Sequence, residues 1–481
     1  MPGTAATIAL LGFLPLALIT IALRPTSSAG VALVLASAMF LPPVYYFDVE
    51  GFPPLGKSNL PFIYIALASF IWMRGRFRDL RPGRGIEWLF VGLVLSGVGT
   101  VLTNRDALPF EQSGLSNWEI ISMSAAIVLE RWLPFLIGRL LVRNQEELYG
   151  LLRALLIAGL VYSVLCLIEV RLSPQLHPWV YGGQASPFLA TRRFGGYRPN
   201  VFMHNGLEVG TFMVSCLIAA SALTQTRAIK SSLSRLASAY LAVILVLVKS
   251  SAAIIYGIVF APLVVLRGKR LAATVLALMA VLIVAYPTLR SSNVFPTDAL
   301  VRLADGVSAE RAESLAFRFE NEDLLLDHAF LRPWFGWGLH GRHQLKDEWT
   351  GEGVTTVDGY WIALIGSRGV LAFAASFGLM LIPVLFVIRH APRIPDRGAR
   401  AALLGVASIV VVQTLDWLPN GIFSNLPLFI AGALWTSAHA IVRDAGKAGV
   451  ATEVVPSSEA VAPRPPLRGL RDLVGRRRLS P

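Results

Sequence analysis

Charged residues are scarce in this chain, and that scarcity already excludes an ordinary soluble protein. Asp, Glu, Lys and Arg make up 15% of the 481 residues, and hydrophobic residues make up 54%. Soluble domains carry about 25% charged residues. Apolar runs of about 18 residues or more, the length that spans a bilayer core, recur along the sequence. The pattern predicts an all-α polytopic membrane protein, and the short alternating segments of an outer-membrane barrel are absent from the sequence.

Cysteine is equally scarce, which excludes a disulfide framework. Cys166 and Cys216 both lie inside apolar runs, with no spacing typical of metal ligands. We therefore expect neither a metal nor another cofactor. The formal net charge of +13 could suggest nucleic acid. Most of the excess lies in short loops and the tail, where the positive-inside bias explains it, so we expect no nucleic-acid partner.

The apolar runs predict about thirteen membrane helices. They lie at about 6–23, 30–47, 60–73, 86–103, 120–142, 148–169, 206–223, 236–248, 252–266, 271–288, 359–388, 401–415 and 425–442. Arg24 directly follows the first run and no basic residue precedes it, which indicates a first helix rather than a cleaved signal. Glu130 and Arg131 lie inside one run, so we expect them to face protein, and Pro134 predicts a kink there.

Basic residues predict how the helices are oriented. The segment RGRFRDLRPGRG at 74–85 carries five arginines against one aspartate, which favours the cytoplasmic side. Alternation then places the N-terminus outside, and the basic tail 443–481, whose Pro and Arg content suggests disorder, inside. The membrane domain would cover residues 1–442, with its largest outer segments at 170–205 and 289–358.

The first of these outer segments is unusually basic. It contains Arg171, Arg192, Arg193 and Arg198 and no acidic residue, against the usual bias for a translocated loop. Guanidinium groups pair well with phosphate oxygens, so the pattern suggests an anionic ligand. The alternative is that these arginines pair with acidic residues of 289–358.

The second outer segment is too long to be a simple connection. Loops of this length are usually functional or disordered, and this one shows helical periodicity at 308–331. RPWFGWGLHGRH at 332–343 then places aromatic residues and glycines around His340 and His343. This composition suits a site for a sugar on a lipid carrier, although an interfacial aromatic belt with chance histidines is the alternative.

Three segments together resemble the superfamily of O-antigen ligases and polysaccharide polymerases. They are RFGGYRPNVFMHNGLEVG (193–210), FRFENEDLLLDHAFLRPWFGWG (317–338) and DGYWIALIGSRGVLA (358–372). The last is similar to a segment in which ligases carry a histidine, a polar residue, nine further residues and a glycine; here Asp358 stands at the histidine position and Gly369 at the glycine. The resemblance covers roughly residues 86–435.

This resemblance implies an all-helical fold of the lipid-donor glycosyltransferase kind in the bacterial inner membrane, with its active site facing the periplasm. The implied donor is a glycan on undecaprenyl pyrophosphate, and the acceptor is a glycan or lipid hydroxyl. Membrane lipids and other polysaccharide-export proteins are further expected partners, and neither a metal nor a nucleotide sugar is required.

The resemblance also implies roles for particular residues. The expected pyrophosphate ligands are Arg198, Arg193, Arg192, Arg318 and Lys249, and the further candidates are His204 and His343. Lys249 is included because Ser251 stands where the family commonly has arginine. Asp358 and His340 compete for the role of catalytic base, because an attacking hydroxyl needs a carboxylate or imidazole. Arg318 could alternatively pair with Glu322, four residues further along a helix.

Aspartate at position 358 and serine at position 251 both depart from the ligase pattern. They favour an exopolysaccharide polymerase over a ligase that acts on lipid A-core, which stays the alternative. A transporter or flippase would also have many helices, but such proteins often carry internal repeats, and none is evident here. A purely structural subunit of an envelope complex is a further alternative, although chemistry gathered in two outer segments argues against it.

Overall fold

The structure, a computed structural model, is almost entirely helical, as the sequence predicts. It describes residues 3–49, 51–78, 80, 85–108, 113–193, 195–266, 269–306, 308–347, 349–421 and 424–453. Two antiparallel pairs of very short strands accompany the helices in these ranges: β1 (Tyr46–Phe47) with β2 (Leu55–Gly56), and β3 (Arg192–Arg193) with β4 (Gly196–Tyr197). An all-α membrane protein is therefore confirmed at the level of fold class.

Within the described residues, eight helical stretches are long and apolar enough to cross a membrane. They are α1 (Thr4–Leu23), α6 (Asn117–Ile127) continued through a π-helical turn (Val128–Trp132) into α7 (Leu133–Leu141), α8 (Gln145–Leu172), α10 (Gly206–Leu223), α13 (Lys269–Ser291), α16 (Tyr360–His390), α17 (Arg397–Asp416) and α18 (Leu426–Glu453). Five shorter apolar helices are α2 (Ser27–Phe40), α3 (Leu60–Trp72), α5 (Glu87–Thr103), α11 (Ser231–Leu247) and α12 (Ser251–Val265). The remaining helices are α4 (Arg74–Arg78), α9 (Leu176–Tyr181), α14 (Thr297–Asp305) and α15 (Ala309–Phe330).

Each predicted apolar run coincides with one of these helical stretches, but some ends differ. Helix α2 ends at Phe40 rather than near residue 47. Pro42 and Pro43 follow, and a proline disfavours helical backbone in the residue before it. At the other terminus α18 continues to Glu453, into the predicted tail, and residues 454–481 lie outside the described residues.

Helices α10 and α17 form the centre of the bundle. In each, 89% of the most apolar window is buried, whereas α1 has 28% buried and lies at the periphery. Small residues let the central helices approach closely: a Cβ at Gly405 of α17 would lie 2.7 Å from the Cβ of Ala222 on α10. This packing places the segment before α10 and the segment after α17 at the same end of the bundle.

That end, which we call the loop end, gathers the segments that alternation assigns to the outer side. Lys57 donates from Nζ to the carbonyl oxygen of Phe202 at 2.7 Å. Asn425 donates to the carbonyl oxygen of Ser58. Arg332 pairs with Asp106 at 2.8 Å. These contacts join segments that are far apart in the sequence.

The opposite end gathers segments that alternation assigns to the inner side. Arg76 pairs with Glu147, and Gln145 donates to Asp396 at 2.9 Å. A Cβ at Gly398 would lie 3.5 Å from the Cα of Thr226. Segments predicted to share a side of the membrane thus contact one another at one end of the bundle.

Which end faces outward is open to a direct test. We expect a cysteine at Leu189, which is 78% exposed at the loop end, to react with a membrane-impermeant maleimide in intact spheroplasts. A cysteine at the exposed Arg227 should react only after permeabilisation. Cys166 and Cys216 are buried and should add little background. The reverse labelling pattern would overturn the predicted orientation and every periplasmic role proposed below.

Candidate functional site

The turn that follows α15 inserts into a break in α16. Gly369 has φ 77° and ψ 178°, which interrupts the helix. The N–H of Trp337 donates to the carbonyl oxygen of Gly366 at 2.8 Å, and the N–H of Val370 donates to that of Pro333 at 2.8 Å. The turn therefore partners backbone groups on both sides of the break, which would otherwise be left unpaired inside the protein.

This insertion explains the glycines in two of the resembling segments. A Cβ at Gly369 would lie 2.1 Å from the carbonyl oxygen of Trp334, and one at Gly336 would lie 2.5 Å from the backbone nitrogen of Arg368. Both glycines also have positive φ angles. Because the obstructing atoms belong to the backbone, no side-chain rotation relieves either contact. The absence of a side chain at both positions thus allows the turn and α16 to pack in direct backbone contact.

Two arginines fasten the same turn to the segment after α5. Arg332 binds the carboxylate of Asp106, and its hydrogen bonds hold the pKa of Asp106 below its usual value. Arg342 is fully buried and donates from Nη1 to the carbonyl oxygens of Asp106 and Ser113 at 3.0 and 3.1 Å. Both arginines are therefore structural anchors. They nevertheless lie in the segment 332–343, which the sequence alone indicated as a candidate sugar-binding site.

A buried charge network attaches α15 to α13. Arg290 donates to Glu322 at 3.1 Å and to Asp323 at 2.7 Å, and the hydroxyl of Tyr286 donates to Glu322 at 3.0 Å. Glu322 is thus engaged by α13 rather than by Arg318, so the alternative pairing along α15 is wrong. This attachment fixes the helix face that carries Arg318.

Arg318 instead lies beside Asp358, at the point where the long loop enters α16. Its Nε is 3.4 Å from Oδ2 of Asp358, and the two side chains are 36% and 30% exposed. The end of α17 lies beside this pair, because the N–H of Tyr360 donates to the carbonyl oxygen of Trp417 at 3.0 Å. The preceding residue, Asp416, accepts a hydrogen bond from Asn420 at 2.9 Å. We call Arg318, Asp358 and Asp416 the pair cluster. Arg318 and Asp358, about one-third exposed, are reachable from solvent and bring together two of the resembling segments.

Asp416 is a member of this cluster that the sequence reasoning missed. It stands in QTLDWLPN, directly after an apolar run, where an acidic residue is unexceptional. The only signal in the sequence was a carboxylate at the end of a membrane helix. The positive-inside rule counts Lys and Arg and gives acidic residues little importance.

His340 lies elsewhere. Its side chain is 69% exposed, and Nε2 is 4.0 Å from Oε1 of Glu119 on α6. Among the described residues, no ion pair or hydrogen bond joins it to Asp358. His343 is partly buried against Gly366, where burial, together with the nearby charge of His328, lowers its pKa. The two histidines therefore sit in different environments despite their closeness in sequence.

The arginine-rich segment is held in place by a buried carboxylate. Glu169, near the end of α8, accepts the N–H groups of Asn200 and Val201 at 2.8 and 2.7 Å. This fixes the chain just before α10. The side chain of Arg198 lies across Gly206, where a Cβ would come within 2.0 Å of its Cδ. Arg198 is thereby positioned at the start of the central helix.

Lys249 lies against the same segment. Its backbone has a φ of 58°, and its Nζ is 2.1 Å from where a Cβ of Gly196 would stand. Arg192 is exposed, and its backbone pairs with that of Tyr197. The side chain of Arg193 lies outside the described residues. We call Arg192, Arg198 and Lys249 the basic cluster.

The sequence reasoning missed a lysine that contacts the chain between Arg198 and α10. Lys57 contacts the Phe202 carbonyl, and burial lowers its pKa to about 8 although Glu208 opposes that effect. His204 is 2.9 Å from the same Glu208 carboxylate. His204 therefore has an acidic partner. Lys57 is an additional cation at this end of the bundle, and it comes from a short loop in which the sequence shows no motif.

Comparison with known proteins adds no family to this geometry. No protein-family model matches the chain, and no curated protein matches it in sequence. The resemblance therefore depends on the three segments themselves. Within the described part of the chain, no group of three or more His, Cys, Asp or Glu side chains is arranged to hold a metal ion.

The break in α16 provides a test of the site's scaffold. We expect Gly369→Ala to lower the thermal stability and yield of the protein, because backbone strain of this kind costs about 1–3 kcal/mol and the methyl group meets backbone atoms. Gly150→Ala is the control, since nothing lies within 4 Å of its Cβ position. Fluorescence-detected size exclusion after heating measures both. Equal stability of the two variants would contradict this account of the insertion.

Proposed function

We propose that this protein is a metal-independent glycosyltransferase that polymerises an extracellular polysaccharide. The donor would be a glycan on undecaprenyl pyrophosphate and the acceptor a sugar hydroxyl. The observation that carries the proposal is the approach of Arg318 to Asp358 at 3.4 Å, because it joins two separate segments that resemble the polymerase and ligase superfamily. The alternative is a ligase, which would carry out the same reaction with an acceptor hydroxyl on lipid A-core or on another molecule.

The residue types of the pair cluster suit this reaction. The acceptor oxygen forms a bond to the anomeric carbon while the bond from that carbon to the pyrophosphate oxygen breaks. The hydroxyl proton passes to a carboxylate, for which Asp358 is the candidate, and the electron pair leaves with undecaprenyl pyrophosphate. Fixed cations stabilise the charge that develops on the leaving group, and arginine supplies such a cation without titrating.

Because the Arg318–Asp358 pair is exposed, Arg318 could receive the donor phosphate before the reaction begins. Both side chains are about one-third exposed, so an arriving phosphate can reach the guanidinium. Phosphate and carboxylate oxygens compete for the same planar donor. Donor binding would then draw Arg318 from Asp358 and free the carboxylate to accept the proton. The basic cluster offers further cations for the donor at the same end of the bundle.

A flippase is distinguished by where substrate accumulates. Loss of the proposed enzyme should leave single repeat units on the carrier lipid at the outer face of the membrane, because transport across it continues. Loss of a flippase would leave them at the inner face. Carrier-linked glycan in a deletion strain, probed with an impermeant reagent, therefore tests the class of protein.

One prediction from this proposal concerns Arg198. We expect Arg198→Ala to abolish polymer formation at normal protein level, and Arg198→Lys to restore it only partly, because a point charge cannot reproduce a bidentate guanidinium. Arg171→Ala is a matched control in the same loop segment, since Arg171 is exposed at the end of α8. Polymer length on gels is the readout. Full activity in Arg198→Ala would remove this residue from the site.

A further prediction distinguishes between Asp358 and His340 as the catalytic base. General-base catalysis typically contributes about 10²–10⁴-fold, so Asp358→Asn should lower turnover by that order while donor binding persists. His340→Ala should have a smaller effect, because in the described part of the chain no ion pair or hydrogen bond joins His340 to the pair cluster. Asp305→Asn, exposed on α14, is the control.

Turnover and donor binding of the purified variants would be measured together. Near-normal turnover in Asp358→Asn with loss in His340→Ala would reverse the assignment. Normal turnover in both would mean that the chemistry lies elsewhere.

A further inference from the structure

A cavity lies at the end of the bundle opposite to the loop end, between the end of α12, the start of α13 and the start of α17. Its volume is about 220 Å³. Apolar and polar side chains share its wall, including Val265, Leu266, Ala272, Gln225, Arg397 and Arg400. Because α17 runs from this cavity to Asp416, the cavity is separate from the pair cluster.

The polar side of the cavity carries two arginines of α17. Arg397 and Arg400 are three residues apart, a spacing that places both on one face of the helix. Arg400 donates from Nη1 to the carbonyl oxygen of Ile394 at 2.7 Å, which holds its side chain and leaves further guanidinium N–H groups. Arg397 is exposed, and within the residues that the structure describes no hydrogen bond or ion pair engages its guanidinium. The two side chains therefore offer N–H donors to a ligand.

Acidic side chains do not balance this positive charge. Among the described residues that line the cavity, none is acidic. Asp396 adjoins Arg397 in the sequence, but its carboxylate accepts hydrogen bonds from the N–H of Gly398 at 2.7 Å and from Gln145 at 2.9 Å. The charge of the cavity therefore favours an anion.

Apolar side chains beside the cavity are exposed at the surface of the bundle. Val265 and Leu266 at the end of α12 are 40% and 55% exposed, and Leu271 on α13 is 51% exposed. The exposed Arg270 adjoins them, as expected where apolar helices reach the headgroup region of a membrane. Basic pockets between membrane helices on the cytoplasmic side bind anionic lipid headgroups. A ligand with an anionic head and acyl chains therefore suits this place.

Gln225 favours a headgroup that also carries a hydroxyl. Its Nε2 donates to Oγ1 of Thr224 at 3.0 Å. The side-chain carbonyl oxygen of Gln225 remains as an acceptor, and it belongs to the wall of the cavity. Phosphatidylglycerol has both a phosphate and hydroxyl groups, so it is the appropriate probe.

We propose that this cavity binds the headgroup of an anionic phospholipid from the leaflet on the predicted inner side. Arg397 and Arg400 contact the phosphate, Gln225 accepts from a hydroxyl, and the acyl chains lie along Val265 and Leu266. The site is independent of the proposed reaction, because it lies at the other end of the bundle and uses none of the residues assigned to catalysis or donor binding.

The test measures lipid binding by the full-length protein, freed of lipid in a neutral detergent and titrated with phosphatidylglycerol. Native mass spectrometry gives the dissociation constant of the first bound lipid. We expect Arg397→Gln and Arg400→Gln each to weaken binding by about fivefold, the effect of one basic side chain near an anionic membrane surface, and the double variant by about 25-fold. Phosphatidylcholine, which has no net charge, should bind the wild-type protein at least about tenfold more weakly.

A double variant, Arg227→Gln with Arg393→Gln, is the matched control. Both arginines are exposed at the same end of the bundle, and neither lines the cavity. We expect this variant to bind phosphatidylglycerol as the wild type does. An equal loss in the control would mean that net charge attracts the lipid, and wild-type affinity in Arg397→Gln with Arg400→Gln would place the lipid elsewhere. Either result, or equal binding of phosphatidylcholine, would overturn the proposal.

A second variant tests the cavity without changing its charge. Val265→Trp places a large side chain at the cavity wall, and the exposure of Val265 makes the substitution compatible with folding. We expect it to weaken phosphatidylglycerol binding and to remove the rise in unfolding temperature that this lipid gives the wild type, because a ligand that binds only the native state stabilises it. Unchanged affinity in Val265→Trp would overturn the proposal even if the arginine variants fail to fold.

Glycerol phosphate separates a lipid site from a site for a soluble anion. It carries the same phosphate without acyl chains, so displacing the bound lipid should require at least about a hundredfold higher concentration. Displacement at equal concentration would overturn the assignment to a phospholipid.

Discussion

The insertion of the 333–338 turn into the break of α16 is the constraint on which the rest of the loop end depends. The turn ends the segment begun by α15, which carries Arg318, while α16 begins beside Asp358 and carries Arg368 next to the break. The backbone bonds from Trp337 to Gly366 and from Val370 to Pro333 therefore fix the turn that ends the α15 segment against α16. Backbone hydrogen bonds hold the turn in the break, and the side chains of Arg332 and Arg342 fasten it to the segment after α5.

The arginines of the loop end divide into two groups by their surroundings. Arg290, Arg332 and Arg342 are engaged by carboxylates and carbonyl oxygens that hold the long loop on the bundle. Arg318 stays about one-third exposed in a long ion pair, where an incoming phosphate has access. Buried guanidinium groups need such complete partners because desolvation is costly. The positive charge of the loop segments thus serves both attachment and, in our proposal, ligand binding.

Buried carboxylates also hold segments of the loop end in place. Glu169 accepts backbone N–H groups of the segment that carries Arg198, and Glu322 receives Arg290 and Tyr286. Glu169 fixes an irregular stretch of chain against a helix, and Glu322 fixes α15 against α13. Hydrogen bonds give both attachments a directionality that an apolar contact lacks. An acidic residue at the end of a membrane helix therefore organises the neighbouring basic segment here.

The sequence by itself determined the helical class, the approximate spans and the segments that share a side, because runs of about twenty apolar residues and short basic loops carry that information locally. The family resemblance also singled out Arg318, and the spacing between Asp358 and Gly369 singled out those two residues. Only the tertiary structure decided that Arg318 meets Asp358 rather than Glu322, and that His340 lies beside Glu119. It also decided that the end of α17, with Asp416, lies beside the start of α16, and that Lys57 contacts the Phe202 carbonyl. The reason is physical: pairing and burial arise between residues distant in sequence, and a charged side chain has the same local pattern whether it anchors a loop or faces a ligand.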